Sequence, residues 1–109
     1  MSGQANDTAT ESNSALALDA LGDECARIIL VATSDGPKTA KELTARTDSS
    51  SATVYRRINN LLESGLIAEC IRFEEDGSHT TAYEATIDRL EVDIDADGIH
   101  ISPVRSDDQ

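Results

Sequence analysis

Residues 39–65, TAKELTARTDSSSATVYRRINNLLESG, constrain the fold of this chain more than any other stretch. They read as two helices with a short break between them. Thr39 is placed to cap the first, and Glu42, three residues on, completes a capping box. Ala40, Leu43 and Ala45 supply its small and apolar positions. Thr47-Asp48-Ser49-Ser50 interrupts the pattern and offers a second cap. The second helix is expected from about Ser50 to Glu63, ending at Ser64-Gly65, where glycine accepts the left-handed conformation.

That second helix is two-faced. Val54, Ile58, Leu61 and Leu62 recur at helical spacing and form one apolar stripe. Ala52, Thr53, Arg56 and Asn60 fall on the opposite side, with Arg57 on one flank and Tyr55 on the other. Hydroxyl, guanidinium and carboxamide groups suit base edges and phosphate oxygens. A solvated helix face carrying two arginines has the same pattern, so spacing alone leaves both readings open.

Charge separates the two readings. The chain has a formal net charge of -12, from 9 Lys+Arg against 21 Asp+Glu. Between residues 37 and 60, however, Lys38, Lys41, Arg46, Arg56 and Arg57 outnumber Glu42 and Asp48. A basic island in a strongly acidic chain is the expected footprint of a polyanion site.

With these residues in view, the chain resembles a known family. Gly-Pro followed by TAKELTARTDSSSATVYRRINNLLESGLI looks like the winged helix-turn-helix of ArsR-type transcriptional regulators of archaea and bacteria. ALGDECARIIL resembles the helix before that unit, and LIAECIRF and TTAYEAT resemble the wing strands. The likeness runs from about Leu16 to Ile87 and is most specific in TVYRRINNLLESGLI. It implies an α+β fold, a winged helix-turn-helix of three to four helices plus a β-wing. It also implies double-stranded DNA as partner, a homodimer, and a helix at about 50–63 in the major groove. Ser51, Thr53 and Arg56 are then expected near bases, and Tyr55, Arg57 and Asn60 near the groove walls. Lys38, Lys41 and Ser50 are expected on phosphates. In family members the wing often touches DNA. Here its tip carries Glu74, Glu75 and Asp76, which repel phosphate unless bound salt cations screen them. Arg72 is the wing cation placed to reach the backbone, and His79 is a weaker one.

The rest of the chain fits around that unit. Its 109 residues make one domain. Aromatics are only 3% and Trp is absent, so the core must be built from Leu, Ile, Val and Ala. A core that thin makes dimerisation an expected source of further burial. Residues 1–14 are polar, match neither a signal nor a transit peptide, and are expected to be a disordered tail. No stretch approaches the roughly 18–20 apolar residues of a membrane span, so a cytoplasmic protein is expected. The acidity resembles that of cytosolic proteins of salt-loving archaea, where dense carboxylates hold water when salt has shortened the Debye length to about 3 Å. An ordinary acidic protein is the alternative.

Leu16, Ala20, Leu21, Cys25, Ile28, Ile29 and Ala32 keep a helical period, broken at Gly22. A short helix or turn over about 15–21 and a longer helix over about 23–34 are expected, the second capped by Asp23. Residues 15–87 are taken as the DNA-binding domain. Residues 88–105 read as a C-terminal β-hairpin turning at Asp97-Gly98, with Leu90, Val92 and Ile94 on one face and Ile99 and Ile101 on another. It either extends the wing sheet or adds to a dimer interface. Residues 106–109 read as a polar tail.

Other chemistry is thinly represented. Asp93-x-Asp95-x-Asp97-Gly98 imitates half a calcium loop, but the twelfth position is Val104 and the flanks are strands. Cys25 and Cys70 lack zinc spacing and read as small buried hydrophobes. Metal-sensing members of the family place cysteines in the helix that here reads KELTART, which has none. His79 and His100 read as solvent-facing residues. No catalytic motif is present, so no enzyme and no cofactor are expected. Two rival readings stay open: a winged helix used as a protein-interaction module, and a regulator that responds to thiol oxidation.

Overall fold

A computed structural model describes residues 14–104. The expected tails lie outside these residues, apart from Ser14, which is helical and buried. Helix α1 covers residues 14–21. Helices α2 (Glu24–Ser34), α3 (Ala40–Arg46) and α4 (Ser51–Glu63) follow, then strands β1 (Ile67–Phe73), β2 (His79–Ala85), β3 (Arg89–Asp95) and β4 (Gly98–Val104).

Local chemistry sets each boundary. Asp23 is extended, and its Oδ2 accepts the Ala26 N–H at 2.8 Å, which starts α2. In α3 the capping box closes both ways. Glu42 N–H donates to Thr39 Oγ1 at 3.1 Å, and Thr39 N–H donates to Glu42 Oε1 at 3.0 Å. Thr39→Ala is therefore expected to lower stability by about 1 kcal/mol, measured by urea unfolding. Ser50 caps α4 by accepting the Thr53 N–H. Helix α4 stops at Gly65, with φ 80. Gly65 N–H donates to Leu62 O and Leu66 N–H to Leu61 O, the paired bonds of a Schellman stop.

The helices bury their apolar stripes together. Ile29 of α2, Leu43 of α3, and Val54, Ile58 and Leu61 of α4 are at most 1% exposed. They form one cluster with Leu66, Ile67 and Tyr83. The wing strands β1 and β2 pair antiparallel from Ile67↔Ala85 to Phe73↔His79. An isolated bridge ties Lys38 to Tyr83 through two backbone hydrogen bonds of 2.9 and 2.8 Å. The wing is thus anchored to the segment that leads into α3.

The C-terminal hairpin removes one of two open alternatives and differs from expectation in two further ways. It forms its own two-stranded sheet and does not extend the wing sheet. Its turn centres on Ala96 and Asp97, with Asp95 paired to Gly98. Asp95 Oδ1 accepts the Asp97 N–H at 2.8 Å, so this aspartate is occupied in closing the turn.

The second difference concerns its faces. Val92 pairs with Ile101 and Ile94 with Ile99. Directly opposed residues project to the same side of a sheet, so the apolar residues of both strands share one face. Periodicity gives alternation within a strand; register across the turn decides which faces coincide. At the hairpin root, Ile101 is buried in the core and Leu90 packs against it. The Ile101 N–H points away from β3 and donates to Ser14 Oγ at 3.0 Å. Pro103 takes the equivalent outward position two residues on, where its missing N–H costs no ladder bond.

Among the described residues the architecture is α+β: four helices with two antiparallel hairpins, consistent with a winged helix-turn-helix carrying an additional C-terminal hairpin.

Candidate nucleic-acid interface

The sequence-predicted residues divide into three places. Ser50, Ser51, Thr53 and Arg56 stand at the first turns of α4. Ser50, Ser51 and Arg56 are exposed and Thr53 is half-buried. The Ser50 and Thr53 hydroxyls lie 3.2 Å apart, and Arg56 Nη2 donates weakly to Thr53 Oγ1 at 3.5 Å. Among the described residues no carboxylate pairs with Arg56.

Lys41, Tyr55 and Arg72 line an open groove between α3, α4 and the wing, together with Ser78, His79 and Thr80. Lys41 and Tyr55 are exposed there. Lys38 is half-buried, and its Nζ donates to Gly36 O at 3.3 Å.

Arg57 and Asn60 face elsewhere. They border the α1–α2 junction beside Asp19 and Asp23. Arg57 Nε donates to Asp23 Oδ2 at 2.9 Å. That bond, followed by the Ala26 N–H, holds the Asp23 carboxyl below the usual carboxylate range. Asp23 in turn raises Arg57 above the ordinary guanidinium value. One carboxylate caps α2 and tethers α4, so the Arg57 charge is matched within the molecule.

Arg72 is matched too. Its Nη1 and Nη2 donate to Glu42 Oε1 and Oε2 at 2.8 and 2.9 Å, and its Nε donates to Glu74 Oε2 at 3.0 Å. A further bond of 3.3 Å reaches Pro37 O. This fork joins the wing to the first turn of α3. Arg72 foremost, and then the Thr39 N–H, lowers Glu42 from the ordinary 4.5 to about 2.

A depressed carboxyl contributes stability above its unfolded pKa and loses it as pH falls through the folded value. The stability gap between wild type and Glu42→Gln is therefore expected to be full above pH 4.5 and to close toward pH 2. Thermal melts at stepped pH measure it. The pair is partly solvated, with side chains 31% and 42% exposed, so the effect is that of a screened surface pair.

Sequence reading identified the Asp23 cap and the Glu42 box but not their second partners. Arg57 lies 34 residues from Asp23, and Arg72 lies 30 from Glu42. The flank position of Arg57 on α4, close to the apolar stripe, was the available signal for the first. Cys25 is buried as expected; Cys70 is only half-buried.

The arrangement is a capped helix offering an arginine with no carboxylate partner among the described residues, beside a groove with an exposed lysine. Residues 18–70 match the model of a helix-turn-helix domain family. The matched stretch ends inside β1 and contains α2, α3 and α4 whole. The match points to a DNA-binding regulator of a typically non-enzymatic kind. A search of curated proteins returned no match to the chain. Among the described residues no helix is long and apolar enough to cross a membrane. Nor is any group of three or more His, Cys, Asp or Glu among them placed to hold a metal ion.

Proposed function

We propose that this chain is a sequence-specific, double-stranded DNA-binding transcriptional regulator of the ArsR-like winged type, acting as a homodimer in the cytoplasm. Helix α4 enters the major groove, with Ser51, Thr53 and Arg56 toward base edges. Lys41, Tyr55 and the Ser50 end of α4 meet phosphates along the groove beside α3. Lys38 adds charge behind them. Arg57 and Arg72 act mainly by holding α4 and the wing at fixed angles, and Asn60 lies with Arg57 on that supporting side.

The supporting observation is Arg56, an exposed guanidinium without a carboxylate partner among the described residues, on the recognition side of α4. An arginine so placed suits bidentate contact with a guanine edge. The acidic remainder of the surface supports operation in concentrated salt, with bound cations between the wing carboxylates and DNA.

Genome-wide mapping of bound DNA at high salt, followed by gel shift on the enriched fragments, tests this reading. A discrete complex is expected, with affinity falling by about 0.9 log units per log unit of salt for each phosphate contacted. A wild-type chain that shifts none of its enriched fragments at any salt would sink the proposal.

A further inference from the structure

Helix α2 carries a row of side chains that its own chain leaves uncovered. Arg27, Val31 and Asp35 stand four residues apart, along one ridge of the helix and its C-cap. All three are exposed, Val31 at 71%. With Ile28 and Ala32 they line a shallow groove, which Glu24 and Arg46 of α3 also line.

The two arginines and two carboxylates of this groove sum to zero, in a chain whose formal charge is -12. Among the described residues none of the four makes an ion pair. Arg27 donates one N–H to Leu21 O at 2.8 Å and keeps further donors. Two copies of so acidic a chain repel each other overall. A charge-balanced patch with an apolar centre is a place where they can meet.

The order of charge along the row selects the occupant. Positive, apolar, negative is matched by the same row running the other way. A twofold axis crossing α2 at Val31 sets Val31 on its own equivalent. It also sets Arg27 against the second copy's Asp35, and Asp35 against the second copy's Arg27. Isologous contact requires this self-complementarity. Parallel pairing would oppose like charges at both positions.

We propose that the homodimer is held by α2 packed antiparallel on the α2 of a second copy, with Val31 at the twofold axis and an Arg27–Asp35 pair on each side. It rests on the dimeric reading above and names its surface. A helix of 11 residues is about 16 Å long, so the contact falls short of the roughly 800 Å² per partner of a standard interface. The dimer is therefore expected to be weak and concentration-dependent.

Charge exchange tests this on the full chain. Sedimentation equilibrium at about 0.15 M salt, where the Debye length is about 8 Å, reads the dimer Kd. Circular dichroism verifies that each variant is folded. Arg27→Asp and Asp35→Arg each oppose like charges twice per dimer, and each is expected to raise Kd at least about tenfold. Net charge alone predicts the opposite for Asp35→Arg, which lowers the repulsion between copies. The double variant, Arg27→Asp with Asp35→Arg, restores both pairs in reverse order. Its Kd is expected to return to within about threefold of wild type. An equimolar mixture of the two single variants is expected to form the mixed dimer in preference to either homodimer, because opposite charges then meet at both positions.

A wild-type dimer insensitive to both single variants overturns the proposal. A double variant as weak as the singles, or a mixture that forms no mixed dimer, overturns the antiparallel pairing. A wild type still monomeric at about 1 mM overturns both this interface and the homodimer. Gel shift of the wild type is scored separately, so DNA binding can stand when the interface fails.

Discussion

Arg56→Ala is expected to weaken binding to a mapped operator by about 1–3 kcal/mol and to relax preference at one base pair. The loss should appear without loss of fold. Arg56 makes only a weak contact to Thr53 and is exposed on α4, so its removal strips no buried partner. Arg57→Ala supplies the contrast. It unpairs Asp23 at the α2 cap, so its expected signature is lower stability, with DNA preference unchanged at the base pair where Arg56→Ala is expected to relax it. Gel shift on the operator and on variants of each base pair, paired with urea unfolding, separates the two effects. Equal loss of stability in both variants, or unchanged operator affinity for Arg56→Ala, would refute the assignment of Arg56 as the reading residue.

The second large effect is on the fold. Ile58→Ala should cost about 2–5 kcal/mol, the range for truncating a buried aliphatic side chain. Ile58 is 1% exposed, within the cluster where α4 meets α2 and α3. The core has little to spare, because Trp is absent and the only Phe is 71% exposed. For a domain of this size each kcal/mol moves the melting midpoint by about 4–8 °C. The drop should be measured at several protein concentrations, since the proposed dimer would add concentration-dependent stability. A loss under 1 kcal/mol would mean that the cluster collapses around the cavity, contrary to the close packing described.

Much of the molecule was legible along the chain because the relevant physics is local. A threonine three residues before a glutamate closes the α3 box, and Asp23 and Ser50 cap their helices through the next turn. Gly65 stops α4 because only its own backbone freedom is involved. Period-two alternation marked β3, and β-favouring composition together with the family resemblance placed both wing strands to within a residue.

The sequence by itself therefore determined α2, α3 and α4, the two hairpins, the apolar stripe of α4 and the basic island around it, and left α1 open between a helix and a turn. Only the tertiary structure decided how those charges are used. Arg56 and Arg57 are neighbours of equal chemistry, and one is free of carboxylate partners among the described residues while the other is tied to Asp23. Arg72, placed by sequence on the wing to reach DNA, is held by Glu42 and Glu74. The face shared by Val92, Ile94, Ile99 and Ile101 likewise emerged only from the β3–β4 register. The physical reason is reach: caps and periodicity act over three or four residues, whereas these ion pairs join groups 30 or more apart and depend on how whole elements pack.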